Sequence, residues 1–241
     1  QFVADASHEL RTPLAVVTGY TELAARSADH VPEQVARSLE RIGSEASRMS
    51  GMVQDLLLLA RLDSGARLAE QPVELAQVVV DACADAQVTG PQHTWVLELT
   101  ESAGEIEVTG DADRLRQVLL NLLTNARVHT PPASRVAVRL TEEGACAIIE
   151  VEDDGPGIPA ELQERIFDRF VRGDDSRAHV PDSAAPASAP RAVLGTGLGM
   201  AIAQAIVTAH GGTIGVRSQP GSTTFTVRLP LADRSVGGAR Q

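Results

Sequence analysis

The strongest constraint on the fold is a long amphipathic pattern near the amino terminus. Its apolar residues alternate at spacings of three and four, which predicts a helix with one narrow apolar seam. The seam consists of Leu39, Ile42, Ala46, Met49, Val53, Leu56 and Ala60. A similar pattern runs from Val3 to Ala24, and the turn-forming segment DHVPE (29–33) separates the two, so we predict an antiparallel helical hairpin. Because one hairpin cannot bury this seam alone, we expect it to form a four-helix bundle with a second copy of the chain.

The remainder of the chain alternates between short strand and helix patterns. Residues 73–89 predict a strand and a helix, and Asp111 is the expected N-cap of a helix that reaches about Val128. Further strands are predicted at 94–99, 106–109, 135–140, 146–152, 213–217 and 223–229, and a last helix at 198–209. Helices among mostly antiparallel strands predict a two-layer α/β sandwich, so the fold class of the whole chain is α+β.

These patterns divide the chain into two domains and a tail. The helical hairpin is assigned to residues 1–67, the sandwich to 72–231 and the tail to 232–241. Within the sandwich, residues 173–194 are rich in alanine, proline, serine and aspartate and show no periodicity. We therefore predict a flexible lid there.

Composition excludes several classes of function. The 241-residue chain has a net charge of -11, which argues against binding to nucleic acid or to an anionic membrane surface. No apolar run approaches the ~20 residues that cross a bilayer, so we expect no membrane contact by this segment. Its first residue is glutamine, and we expect the segment to belong to a longer protein.

The segment SHELRTPL in the first predicted helix contains the first candidates for catalysis. His8 lies at the position most remote from the apolar seam, so its imidazole is expected to face water. A neutral imidazole is a competent nucleophile toward phosphorus, and Glu9 can hold its tautomer or accept its proton. Thr12 lies one turn further on the same face. The alternative interpretation is an ordinary solvated surface histidine.

Two further segments suggest a nucleotide site, although the P-loop pattern GxxxxGK[ST] is absent. Asn121 and Asn125 share one helix face, where carboxamides can offer oxygen to Mg²⁺ and N–H groups to phosphates. In VEDDGPGIP, Asp153 ends a strand, and its carboxylate can accept a hydrogen bond from the exocyclic amine of adenine. Gly155 and Gly157 follow, and glycines let the backbone pass close to a flat ring.

A last segment, VLGTGLGMAIAQAIV, places three glycines at the start of a helix, namely Gly195, Gly197 and Gly199. Backbone N–H groups at a helix N-terminus suit phosphate. Each of these segments also has an alternative interpretation in which it has no function. The asparagine pair would be a solvated helix face, the Asp153 segment an Asp-Gly turn and the last segment a glycine-rich loop.

In their order along the chain, these motifs resemble those of the sensor histidine kinases of two-component signalling, from Phe2 to about Pro230. SHELRTPL resembles the phosphoacceptor box, NLLTNARVHTP the N box and VEDDGPGIP the G1 box. RIFDRFVRGD resembles the F box, GTGLGM the G2 box and PGSTTFTVRLP the final strand motif.

The resemblance implies an ATP-dependent kinase that phosphorylates its own His8. Glu9 would orient or deprotonate the imidazole, and Thr12 would assist hydrolysis of a partner's phosphoaspartate. Asp153 would contact adenine, and Mg²⁺ would be held mainly by Asn125 with help from Asn121. The other residues that the resemblance assigns to the nucleotide site are Gly155, Gly157, Arg172, Gly195, Gly197, Gly199 and Thr224.

The resemblance also implies partners and a location. The chain would be a homodimer that passes the phosphoryl group to an aspartate in the receiver domain of a response regulator and also acts as its phosphatase. The segment would be the cytoplasmic portion of a sensor anchored in the cell membrane. Two alternatives stay open: a non-kinase ATPase of the wider GHKL group, and a non-catalytic scaffold that docks a regulator.

One position departs from the family pattern. Val128 stands where many relatives carry a lysine or arginine that contacts phosphate, and His129 stands where they carry tyrosine. The neighbouring Arg127 is expected to point off a different face of the helix. We therefore expect weaker nucleotide affinity, with the metal and adenine contacts retained.

Overall fold

The computed structural model of the protein describes residues 16–21, 33–66, 68–100, 102–171 and 197–232. The chain divides into two compact units, Gln1–Ala66 and Arg67–Gln241. Among the helices in these described ranges, none combines the length and the apolar character that crossing a bilayer requires.

The described part of the first unit is mostly helical, as its periodicity predicts. Residues 16–21 are helical, and helix α1 (Glu33–Asp63) extends over 31 residues. The two helical stretches approach closely at Gly43, where a Cβ would lie 2.8 Å from Oγ1 of Thr21. The predicted turn at 29–33 lies almost entirely outside the described residues.

The apolar residues of α1 include one covered row and one open row, each at heptad spacing. In the covered row Ala46 is buried, and Leu39, Val53 and Ala60 are half-buried. The open row, spaced at seven residues, consists of Val35, Ile42, Met49 and Leu56, which are 45%, 49%, 47% and 38% exposed. Exposed aliphatic side chains at heptad spacing on a long helix are typical of a surface that pairs with another helix.

The second unit alternates between short strands and helices. Its strands are β1 (Gln71–Glu74), β2 (Thr94–Leu99), β3 (Glu107–Gly110), β4 (Arg135–Glu143), β5 (Cys146–Asp153), β6 (Thr213–Gln219) and β7 (Ser222–Pro230). Its helices are α2 (Leu75–Thr89), α3 (Ala112–His129), α4 (Ala160–Gln163) and α5 (Gly199–Ala209). Asp111 caps α3 as predicted, because its carboxylate accepts a hydrogen bond from the Arg114 backbone N–H at 3.1 Å.

A five-stranded sheet forms the centre of this unit. Its strand order is β2-β4-β5-β7-β6, with β2 parallel to β4 and every other pair antiparallel, while β1 and β3 form a separate antiparallel pair. Val138, Val151 and Phe225 lie side by side across the three central strands, and each is 1% exposed. Helices α2, α3 and α5 pack against the sheet. The predicted α+β class is thus confirmed, as a helical region followed by a mixed sheet packed with helices.

Candidate functional site

Five parts of the second unit carry the sequence-predicted site residues that the structure describes. They are α3, the end of β5, the loop that follows β5, the start of α5 with Gly197 just before it, and β7. The predicted residues His8, Glu9, Thr12, Arg172 and Gly195 lie outside the described residues, as does the predicted lid at 173–194.

Asp153 is a buried carboxylate at the end of a central strand. It is 5% exposed, and its Oδ1 accepts a hydrogen bond from the Gly155 backbone N–H at 3.0 Å. Burial raises the pKa of Asp153, the hydrogen bond from Gly155 opposes that rise, and the carboxylates of Asp154 and Glu152 add to it. Since a carboxylate can accept about four hydrogen bonds, Asp153 retains capacity for the amine of a ligand.

The loop that follows Asp153 passes so close to other backbone and side chains that two of its positions require glycine. A Cβ at residue 155 would lie 2.5 Å from Cγ2 of Thr130. A Cβ at residue 157 would lie 2.7 Å from the backbone carbonyl of Gln219, and Gly157 also has a φ of +85°. A side chain at either position would displace the loop.

Asn121 connects α3 to the start of α5. Its Nδ2 donates a hydrogen bond to the carbonyl of Gly199 at 2.9 Å. This bond uses the N–H side of the carboxamide and leaves Oδ1 able to accept a hydrogen bond or to bind a metal ion. The 11-residue helix α5 begins at Gly199, and backbone N–H groups at a helix N-terminus suit an anion.

Asn125 lies one turn further along α3 than Asn121 and is half-buried. Val128, at the position that departs from the family pattern, is half-buried as well. The side chain of Arg127 packs elsewhere, with its Cδ 2.7 Å from the point that a Cβ at Gly90 would occupy. Arg127 thus packs toward Gly90, in agreement with the expectation that it points off a different face of the helix.

Thr224 does not join this group of residues, and the assignment is corrected to Thr223. Side chains alternate between the two faces of a sheet along a strand. Thr224 pairs with Glu152, whereas Thr223 pairs with Asp153 and is 3% exposed. Two consecutive threonines look alike in a motif, and strand register alone distinguishes which one lies beside Asp153.

The F-box segment is anchored in the unit by one of its two phenylalanines. The ring of Phe167 packs edge-on against the buried ring of Phe225, with 6.4 Å between their centroids. Phe170 is 56% exposed, and its backbone N–H donates to the carbonyl of Gly197 at 2.9 Å. Gly197 has a φ of +72°, and a Cβ there would lie 3.1 Å from the Phe170 backbone, which explains its residue type.

Comparison with known proteins gives two family matches and a set of relatives. Residues 1–65 match the His Kinase A (phospho-acceptor) domain, and residues 110–233 match the histidine kinase-, DNA gyrase B- and HSP90-like ATPase family. The probable sensor histidine kinase TcrY of Mycobacterium tuberculosis is 52% identical over 231 residues, which cover 96% of this chain and 46% of that protein. The chain spans about half the length of the curated relatives it matches.

Solved structures also resemble most of the chain, and two of them cover nearly all of it. Full-length ShkA in complex with AMPPNP is 26% identical with a TM-score of 0.76, and the match covers 95% of this chain and 45% of that one. The Acinetobacter baumannii histidine kinase AdeS is 26% identical with a TM-score of 0.61, and the match covers 94% of this chain and 98% of that one.

Proposed function

Since the chain belongs to the sensor histidine kinase family, we propose that it is an ATP-dependent kinase that phosphorylates its own His8. The phosphoryl group then passes to an aspartate in the receiver domain of a response regulator, and the same chain also acts as the phosphatase of that regulator. The observation that carries the proposal is the buried Asp153 carboxylate beside a loop that admits no side chain at Gly155.

The second unit binds ATP in this proposal. Asp153 accepts a hydrogen bond from the exocyclic amine of adenine, and the backbone of Gly155 and Gly157 passes close to the base. Thr223, which lies beside Asp153 in register, contributes its hydroxyl group. The phosphates are assigned to the N-terminus of α5 and to residues before it, namely Arg172, Gly195, Gly197 and Gly199.

The chemistry of α3 fits Mg²⁺. The N–H group of Asn121 donates to the Gly199 carbonyl, which leaves its carboxamide oxygen available. Mg²⁺ prefers oxygen ligands, and Asn125 offers a second carboxamide oxygen one turn away. These two side chains would hold the ion, which supplies positive charge against the phosphates when it is bound. Because Val128 carries no charge at a position where many relatives have a lysine or arginine, we expect this chain to bind nucleotide more weakly than they do.

Transfer to His8 depends on in-line placement more than on covalent assistance. Nε2 of His8 attacks the γ-phosphorus while the bond to the bridging oxygen breaks, and ADP leaves with that oxygen and its electron pair. Glu9 orients the imidazole through Nδ1 or accepts the proton there. Thr12 serves the phosphatase reaction by assisting hydrolysis of the regulator's phosphoaspartate.

The open row of α1 supports a homodimer. Val35, Ile42, Met49 and Leu56 expose an aliphatic stripe at heptad spacing in the single chain. A second copy offers the same stripe, and the two hairpins together form a four-helix bundle. The regulator docks on this bundle near His8. The full-length protein is anchored in a membrane, with this segment on the cytoplasmic side.

Incubation with Mg²⁺ and γ-labelled ATP separates this function from its two alternatives. The proposal expects acid-labile, base-stable label on the wild-type chain and on the control His30→Ala, and no label on His8→Ala. Hydrolysis of ATP without label would indicate a GHKL-type ATPase. Neither label nor hydrolysis would indicate a non-catalytic scaffold.

A further inference from the structure

A histidine with an incomplete set of hydrogen bonds contacts Thr130, which lies against the loop that follows Asp153. His93 precedes β2, and its Nε2 is 3.0 Å from Oγ1 of Thr130, the C-cap of α3. Its other ring nitrogen, Nδ1, is buried and has no hydrogen-bond partner in the part of the chain that the structure describes. Nearly all buried polar atoms have a partner, so this exception calls for a reason.

The hydroxyl group of Thr130 determines which nitrogen of His93 carries the proton. Oγ1 of Thr130 donates its one proton to the carbonyl of Ala126 at 2.7 Å. It can therefore only accept from His93, whose proton must lie on Nε2. With two hydrogen bonds to its Oγ1, the β-branched side chain of Thr130 is restricted to one rotamer.

In that rotamer the methyl group of Thr130 lies against the loop beside Asp153. The methyl carbon, Cγ2, would be 2.5 Å from a Cβ at residue 155, and Oδ1 of Asp153 would be 2.7 Å from the same point. The N–H of Gly155 donates to that carboxylate oxygen at 3.0 Å. A path of contacts thus runs from His93 through Thr130 and Gly155 to the Asp153 carboxylate.

The loops around His93 are joined by other bonds as well. The Ala133 N–H donates to the Gln92 carbonyl at 2.7 Å, and the Thr94 N–H donates to the Ser134 carbonyl at 2.9 Å. These backbone bonds hold the two loops together whatever side chain stands at residue 93. The hydrogen bond of His93 is therefore not needed to join the loops. It adds a second restraint on the rotamer of Thr130, beside the bond from Thr130 to the Ala126 carbonyl.

We propose that His93 is a positioning residue for the adenine end of the site, acting through Thr130 on Gly155 and the Asp153 carboxylate. This inference rests on the proposed function, in which Asp153 accepts the amine of adenine. His93 touches no nucleotide in this account. The N–H group of its ring helps to fix the methyl group of Thr130. That methyl group limits where the loop at Gly155, and with it the Asp153 carboxylate, can lie.

His93→Phe separates positioning from folding. Phenylalanine keeps an aromatic ring beside Trp95, whose ring centroid is 5.9 Å from that of His93, and it removes the unpartnered nitrogen. The urea midpoint of the variant is expected to equal or exceed that of the wild type. Because this hydrogen bond is present in both the free and the bound protein, only part of its energy affects binding, so ADP with Mg²⁺ is expected to bind about two- to threefold more weakly in calorimetry. Preference for ADP over GDP should fall as well, because guanine presents a carbonyl oxygen where adenine presents its amine.

Two more variants complete the test. His93→Gln has a side-chain N–H that can donate to Thr130, so it is expected to recover most of the affinity that His93→Phe loses. Gln92→Ala changes an exposed neighbouring side chain and is expected to bind ADP as the wild type does.

Three results would overturn the inference, and the third would also refute the proposed function. His93→Phe binding ADP as the wild type does would show that His93 positions nothing. If His93→Phe lowers both the ADP affinity and the urea midpoint, and His93→Gln recovers neither, the role of His93 is merely structural. If the wild-type chain itself fails to bind ADP, the proposed function fails together with the inference.

Discussion

Gly157 and Gly221 form a matched pair that tests how closely the loop after Asp153 is held. Both have a φ of +85°, so alanine at either position costs about 1–2 kcal/mol from the left-handed backbone alone. Their surroundings differ. Among the described residues nothing lies within 4 Å of a Cβ at 221, whereas a Cβ at 157 would lie 2.7 Å from the carbonyl carbon and oxygen of Gln219. Overlap with backbone atoms adds about 1–3 kcal/mol.

Gly157→Ala is therefore expected to lower the free energy of unfolding of the second unit by about 2–5 kcal/mol, and Gly221→Ala by about 1–2 kcal/mol. Urea unfolding followed by the fluorescence of Trp95, the only tryptophan in the sequence, measures both values. If the loop shifts to relieve the overlap, the strain appears instead as weaker ADP binding in Gly157→Ala alone. Equal unfolding energies together with equal ADP affinities in the two variants would refute the close contact.

Three further predictions concern α1 and two carboxylates. Ile42→Asp in the open row is expected to convert the dimer to a monomer in light scattering, whereas Val88→Asp, at an 82% exposed site in the second unit, leaves the dimer intact. Burial raises the pKa of Asp55 to about 6, so between about pH 4 and pH 6 the folded chain keeps a proton that the unfolded chain has lost. The free energy of unfolding therefore falls as the pH rises through that range. Asp55→Asn should therefore gain about 1 kcal/mol at neutral pH and nothing below about pH 4 in urea titrations, with Glu40→Gln as an exposed control. Burial also raises the pKa of Asp153, so its charge opposes folding at neutral pH. Asp153→Asn is therefore expected to have at least the wild-type free energy of unfolding at that pH while calorimetry shows ADP binding lost, and intact binding would contradict its role.

Elements with strong local signals follow directly from the sequence. Helix α3 has an Asp111 cap and a steady apolar periodicity, and both are properties of neighbouring residues. The hairpin of β4 and β5 has alternating strands around a glycine turn. The parallel pairing of β2 with β4 has no such local signal, because it depends on which strands the helices bring together.

The candidate site could be assembled from the sequence where a short motif names the residue, and not where a long-range contact brings residues together. Asp153 and the two glycines after it follow from a short segment, and the structure holds them together. The hydrogen bond from Asn121 to Gly199 joins residues 78 positions apart, so no local pattern announces it. Thr223 and Thr224 are distinguished by register alone. His93 belongs to no motif, and its burial and its unpartnered nitrogen identify it.

The most direct test of the central claim locates the phosphoryl group itself. The chain is incubated with Mg²⁺ and ATP, kept at alkaline pH to preserve a phosphorus–nitrogen bond, and sequenced by tandem mass spectrometry beside Asp153→Asn. The account predicts one added phosphoryl group, mapped to His8, in the wild-type chain and none in the variant. Phosphate on a different residue, or equal modification of His8 in both chains, would contradict it.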